Sequence, residues 1–372
     1  MPTTPPSDDT VRSTLRLWTD PDGTPTVALT QAAEILRAGG LVAFPTETVY
    51  GLGADATNPR AIHSIFMAKE RPFSDPLIVH LPDAADLPRV ASALPPTARM
   101  LAERFWPGPL TLVLPRAPGI PASVAAGGAT VGVRVPSHPV ARALLRAAGV
   151  PIAAPSANRF MHTSPTSAIH VLADLDGRID CVLDGGLCAV GVESTVVDLT
   201  TEPPIVLRPG GVPLEALREL LPTIRVAPRA LPTDARQQEA TLARAPGQME
   251  RHYAPHARLI AFDGAGATAI AAIRAEALAA LGRGERVGAL LADDEVAWLA
   301  DLPVTVARLG PLADQAALAR HLYAALRELD AAGVDVLLAH TFGRAGLGLA
   351  LEDRLRRAAG GTLRAVPDVP PS

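Results

Sequence analysis

The chain has 372 residues, 48% of them hydrophobic and 19% charged, which excludes a disordered protein and is long enough for two domains that each bury a core. Its formal net charge of −4 argues against a non-specific nucleic-acid or membrane binder, although a local basic pocket for a small anion is compatible with that average. Two cysteines, Cys181 and Cys188, make neither a disulfide framework nor a complete structural zinc site, a usage that suits a reducing cytoplasm.

Residues 1–26 read as a flexible lead-in, and the Pro/Thr/Ser/Asp-rich start lacks the basic-then-apolar order of a signal peptide. No window approaches the ~18 consecutive apolar residues of a spanning helix, so a soluble cytoplasmic protein is expected. The amphipathic stretch 27–38 closes on Gly39-Gly40, which predicts a helix ended by a left-handed turn. Apolar runs at 41–44, 77–81, 110–114, 131–135, 152–154, 196–199 and 205–207 predict strands, with helices at 95–105 and 139–148 between them. This interleaving predicts an α/β catalytic domain over 27–212, a twisted open mixed sheet whose crowded later strands are able to pair antiparallel. From 213 to 257 the apolar pattern weakens around Pro222, Pro228 and Pro232 and reads as a linker. Strands at 258–262, 286–292, 304–309 and 334–340 then alternate with helices at 267–281, 312–329 and 348–358, which predicts a smaller βα-alternating, Rossmann-like C-terminal domain over 258–372.

Neither a phosphate-cradling Gly-x-x-x-x-Gly-Lys-Ser/Thr loop nor a Gly-x-Ser-x-Gly elbow is present. Instead, hydroxyls and arginines recur at strand ends and turns of the first domain, where open α/β sheets bind ligands. The polar turn Pro45-Thr46-Glu47-Thr48-Val49-Tyr50-Gly51-Leu52-Gly53 follows a strand. In Lys69-Glu70-Arg71-Pro72-Phe73-Ser74-Asp75-Pro76, two cations precede a proline-bracketed loop. Lys69 is the single lysine among 34 basic residues, and an ammonium is a compact point charge that a planar guanidinium does not replace against a phosphate. Along 130–135 the valines share one strand face, which sets Thr130, Gly132 and Arg134 on the other. Ser156 and Asn158, then Ser164, follow an apolar run, and Ser194 and Arg208 sit in two further turns. No general acid is paired with a base, so the pattern suits binding and positioning of anionic substrates more than hydrolysis. His252 and His256 have metal-like spacing, but Pro255 removes the helix that this spacing requires, which favours a capping or lid segment.

In order, these segments resemble the threonylcarbamoyl-AMP synthase family of YrdC-like proteins. The resemblance rests above all on Phe44-Pro45-Thr46-Glu47-Thr48-Val49-Tyr50-Gly51-Leu52-Gly53, Phe105-Trp106-Pro107-Gly108-Pro109-Leu110-Thr111 and Ala154-Pro155-Ser156-Ala157-Asn158. The run Ala245-Pro246-Gly247-Gln248-Met249-Glu250-Arg251-His252-Tyr253-Ala254-Pro255 is similar to the linker of the longer, two-domain branch. The resemblance implies that L-threonine, bicarbonate or CO2, and ATP with Mg²⁺ give threonylcarbamoyl-AMP and pyrophosphate, for later transfer to tRNA by downstream threonylcarbamoyl-transfer proteins. It implies threonine contacts for Thr48, His80, Arg134 and Ser194. It implies nucleotide contacts for Lys69, Arg71, Asp75, Thr130, Ser156, Asn158, Ser164, Arg208 and Tyr253, with Lys69 and Arg71 as the catalytic cations and no metal ligand from the protein. Two departures stand out: Asp75 adds an anion near the nucleotide, and Arg159-Phe160-Met161-His162-Thr163 replaces a usual Ser-Gly turn. A tRNA-binding or regulatory module of the same fold is the alternative. The charge and the lack of an aromatic stacking platform count against it, and direct tRNA contact is left open. A related domain of hydrogenase maturation would need acylphosphatase-like and zinc-finger segments that the sequence lacks.

Overall fold

The Thr26 hydroxyl accepts from the Leu29 amide and starts helix α1 (Val27–Arg37), whose residues Leu29, Ala32, Ala33 and Leu36, three and four apart, bury one face. The computed structural model describes residues 13–228 and 252–366. The start of the expected lead-in and the Ala245 to Arg251 part of the linker signature lie outside the described residues. The first sheet contains β1 (Leu15–Trp18), β2 (Val42–Phe44), β3 (Gly51–Asp55), β4 (Ile78–His80), β5 (Leu110–Pro115), β6 (Thr130–Arg134), β7 (Ile152–Ala153), β8 (Cys181–Asp184), β9 (Thr195–Asp198), β10 (Ile205–Arg208) and β11 (Arg225–Val226). Its order is β1-β8-β2-β3-β7-β4-β6-β5-β9-β10-β11. Pairing is mixed: β4 and β6 run parallel, whereas β5 with β6 and β9 with β10 run antiparallel.

Helices cover both faces. On one, α1 and α4 (Pro139–Ala148) pack Leu36, Val140 and Leu144 against Phe44 and Leu183. On the other, α2 (Pro59–Lys69), α3 (Pro96–Phe105) and α5 (Ala168–Leu175) pack Phe66, Leu101 and Val171 against Leu52, Val79 and Val133. Apolar side chains three and four apart on each helix thus meet strands buried on both faces, the usual pattern of a covered α/β sheet.

Several expected boundaries move. Residues 15–18 of the expected lead-in form β1, an edge strand parallel to β8. Its four residues are largely exposed, so no local burial pattern signals it. The end of the motif read as a polar turn is β3, antiparallel to β2, because Gly51 and Gly53 pack tightly beside Phe44. Past Pro213, helix α6 (Leu214–Leu220) and β11 extend the first sheet into the stretch read as linker.

The second sheet is all parallel, in the order β14-β13-β15-β12-β16. Its strands are β12 (Arg258–Asp263), β13 (Val287–Leu291), β14 (Val304–Arg308), β15 (Val336–His340) and β16 (Arg364–Ala365), with helices α7 (Ala267–Gly282), α8 (Gln315–Ala331) and α9 (Gly348–Ala358). The two units share apolar packing: Val49 and Val192 of the first join Tyr253 and the second unit's Leu318, Leu322, Tyr323 and Leu351 in one buried cluster. Arg320 Nε donates to Ala189 O at 2.9 Å, and Arg327 pairs with Asp174 at 2.9 Å.

Candidate active site

Three arginines converge on one cavity from separate elements: Arg71 just after α2, Arg134 at the end of β6 and Arg208 at the end of β10. All three are buried. The cavity encloses about 50 Å³, which holds a few waters. Thr46, Thr48, His80, Ser156, Glu193, Ser194, His252 and Tyr253 also line it.

Parallel pairing of β4 with β6 places His80 beside Arg134. Arg134 is braced but keeps hydrogen-bonding capacity: Nη1 donates to Thr48 Oγ1 at 2.9 Å and Nε to Gly108 O at 3.2 Å, while Nη2 lies 2.8 Å from Glu47 Oε1 as an ion pair without a hydrogen bond among the described residues. A guanidinium held at three points presents a fixed fork, the geometry a carboxylate recognises. Burial, then the Arg134 charge, pushes the His80 imidazole down to about 3, so it lines the cavity as a neutral group. Across the cavity, Ser194 Oγ shares a 2.7 Å hydrogen bond with Thr111 Oγ1 and accepts from Arg208 Nη2 at 3.2 Å. Gly210 makes this approach possible, since a Cβ there would lie 2.3 Å from Glu193 O and 2.4 Å from Ser194 C. Arg71 is braced by Asp75: the ions lie 3.0 Å apart, and Arg71 Nη2 donates to Pro76 O at 2.7 Å.

Of the residues singled out in the sequence, Thr48, Arg71, His80, Arg134, Ser156, Ser194, Arg208 and Tyr253 line the cavity, whereas Lys69, Asp75, Thr130, Asn158 and Ser164 do not. The Lys69 ammonium, 1% exposed, donates to Ser156 O at 2.6 Å and to Asn158 O. It therefore ties the end of α2 to the loop that carries Ser156. Asp75 faces Arg71, Ser164 Oγ donates to Glu193 Oε1 at 2.6 Å, and Thr130 stands half-buried at the start of β6. The unusual loop 159–163 has a partner: Ala254 N donates to Met161 O at 2.9 Å, and Phe160 meets His252 edge-on, so this loop docks the chain that brings Tyr253 in. Sequence reasoning missed Thr46, Glu193 and His252 as lining residues. Glu193 directly precedes Ser194 in a quoted motif, and that adjacency was its available signal.

A mixed sheet with an arginine-lined cavity, closed over by a second parallel α/β unit, is the architecture of the two-unit YrdC-like enzymes. The family model described as telomere recombination matches residues 34–210, and the model of the threonylcarbamoyl-AMP synthase C-terminal domain matches 212–360. Threonylcarbamoyl-AMP synthase of Pyrococcus abyssi is 45% identical, over 88% of this chain and 93% of its own length. The Bacillus subtilis protein of the same name is 43% identical, over 90% and 93%. The crystal structure of P. abyssi Sua5 complexed with L-threonine superposes with a TM-score of 0.86 at 41% identity, over 95% of this chain and 99% of that one. The chain belongs to the threonylcarbamoyl-AMP synthase family.

Proposed function

We infer that this protein condenses L-threonine, bicarbonate or CO2, and ATP into threonylcarbamoyl-AMP with release of pyrophosphate, the first step of threonylcarbamoyladenosine formation in tRNA. The observation that carries this reading is the convergence of Arg71, Arg134 and Arg208 on one cavity in a chain that matches the family across both units.

The threonine amine adds CO2, a carbamate oxygen attacks the α-phosphorus, and pyrophosphate leaves. No protein nucleophile is needed. Arg134 holds the threonine carboxylate, with Thr48, neutral His80 and Ser194 around it. Arg71 and Arg208 face the phosphates, where fixed cations in a water-poor site stabilise shifting charge. Lys69, Asn158 and Ser164 shape the nucleotide side from behind the lining, Asp75 orients Arg71, and Thr130 sets the strand that carries Arg134. Holding the carbamate in line with the α-phosphorus supplies much of the remaining acceleration.

Mg²⁺ would enter with ATP, on the nucleotide's phosphates. Bound there, it would neutralise phosphate charge. Buried Tyr253 and His252 line a cavity too small for a triphosphate, so the linker withdraws before one enters. The expected 27–212 unit, extended by β1, α6 and β11, carries the chemistry, the linker after β11 that brings in His252 and Tyr253 is the lid, and the unit from 258 onward its support. The labile product passes to tRNA threonylcarbamoyl-transfer proteins in the cytoplasm. Among the described residues, no helix is long and apolar enough to cross a membrane. Pyrophosphate release measured with and without threonine and bicarbonate tests the reading; folded protein that shows no dependence on either rejects it.

A further inference from the structure

Glu193 faces the cavity from the loop before β9, yet most of its partners come from the second unit. Tyr323 Oη on α8 donates to both carboxylate oxygens, at 3.0 and 2.9 Å. Arg354 Nε on α9 donates to Oε2 at 2.6 Å. Within the first unit, Ser164 Oγ supplies a further hydrogen bond at 2.6 Å. All of these side chains are buried. Burial works to raise the Glu193 carboxyl, but the guanidiniums of Arg354 and then Arg208 outweigh it and hold the group below its usual range, as a carboxylate. Arg354 is itself anchored by Asp353 at 2.7 Å and lies over the Tyr253 ring, 5.1 Å from its centre.

A carboxylate on the wall of a cavity built for a carbamate and a triphosphate is an electrostatic obstacle, because like charges in a water-poor site repel strongly. Its neighbour Ser194 bonds Thr111 and Arg208, so movement of Glu193 also moves the wall opposite Arg134. We propose that Arg354, assisted by Tyr323, is a positioning residue for the reaction in the first unit: it neutralises Glu193 and fixes the Glu193-Ser194 peptide, which lets the cavity accept anionic substrates. This rests on the synthase reading. It gives the second unit a direct electrostatic part in substrate binding, delivered through one guanidinium.

The test uses the full chain and compares Arg354→Met, Arg354→Lys, Glu193→Gln and the double variant Glu193→Gln/Arg354→Met, with pyrophosphate release followed against ATP concentration. Arg354→Met is expected to raise KM for ATP at least ~10-fold with a smaller change in kcat, because the loss is in binding an anion. The double variant, which lacks both charges, is expected to return to within about 3-fold of wild type, and Arg354→Lys to keep most of the affinity. A double variant as impaired as Arg354→Met, or an unchanged KM in Arg354→Met, overturns the proposal and leaves Arg354 as a strut between the units. Should Arg354→Met not fold, Tyr323→Phe takes its place: KM is expected to rise about 3-fold and to be restored by Glu193→Gln in the same chain. An unchanged KM in Tyr323→Phe overturns the proposal equally. Wild-type protein without threonine-dependent release rejects the synthase reading instead, and the same variants ranked by their Kd for ATP then decide the charge effect alone.

Discussion

Lys69 shows how far residue type reveals a role. The single lysine of an arginine-rich chain marked its loop from the sequence, but its task depends on Ser156 and Asn158, which no local pattern ties to it. Two carbonyls hold the buried Lys69 side chain, where a guanidinium is bulkier and planar. Lys69→Arg is therefore expected to lower turnover at least ~10-fold and also to destabilise the fold by about 1–3 kcal/mol through overpacking. A turnover loss with an unchanged melting temperature would instead mark a direct role at the phosphates. His80 carries a pH signature. Its imidazole titrates at about 3 in the folded protein against an ordinary 6.5, because burial and then Arg134 disfavour the cation. As pH falls from 6.5 towards 3, the unfolded chain takes up a proton that the folded chain refuses, so stability falls by up to about 1.4 kcal/mol per pH unit. His170, pushed down to about 4 chiefly by burial, adds to the same trend. Urea midpoints at pH 7 and pH 4.5 are expected to drop less in His80→Gln than in wild type; equal drops would assign the acid sensitivity elsewhere.

Elements were legible where they carry their own boundary chemistry. Helix α4 has Pro139 at its first turn, a His138 side chain that accepts from Val140 N, and Gly149 at its end, and the expected span 139–148 is the one found. Short strands were legible where an apolar run marked them, as at β2, β4, β7, β9 and β10, whereas β1, β8, β11 and β16 were not. Arg225 and Val226 of β11 are exposed, and nothing but pairing with β10 makes them a strand. Helix α6 fell in a proline-punctuated stretch, and its apolar residues gain meaning from the core beneath them. The loop before β9 shows the reach of one residue. Gly191 has φ +79°, and a Cβ there would lie 2.4 Å from Arg320 Cα and 2.5 Å from Ala319 O on α8. Gly191→Ala combines backbone strain with a backbone clash, so a loss of about 1–3 kcal/mol is expected, with reduced activity because Glu193 is two residues on. Thermal melting and pyrophosphate release check both; wild-type values for either would mean that α8 shifts freely.

The molecule as a whole couples its two sheets through Val49, Val192 and Tyr253, which belong to the same buried cluster as Leu318, Leu322 and Leu351. Unfolding of the second unit would expose that surface, so one cooperative transition is expected, with calorimetric and van't Hoff enthalpies in agreement. Two resolved transitions would refute it. Thr48, Arg71, His80, Arg134, Ser156, Ser194 and Arg208 of the first unit were legible because they sit in recognisable motifs, whereas Tyr323 and Arg354 were not: each lies more than a hundred residues from Glu193 and resembles any other helix residue. Edge strand β1 has a further consequence, for synthesis. Leu15 pairs with Cys181 and Trp18 with Asp184, so β1 has no sheet partner until β8, 166 residues further on (181 − 15), has been made. At 5–20 residues per second the ribosome takes roughly 10–30 s to supply it. During that interval Trp18, 65% exposed even in the finished protein, travels on an unpaired strand. The strand at the sheet's near edge is thus translated long before the strand it joins, and the rate at which the intervening chain emerges sets how long a nascent chain offers that strand to its neighbours.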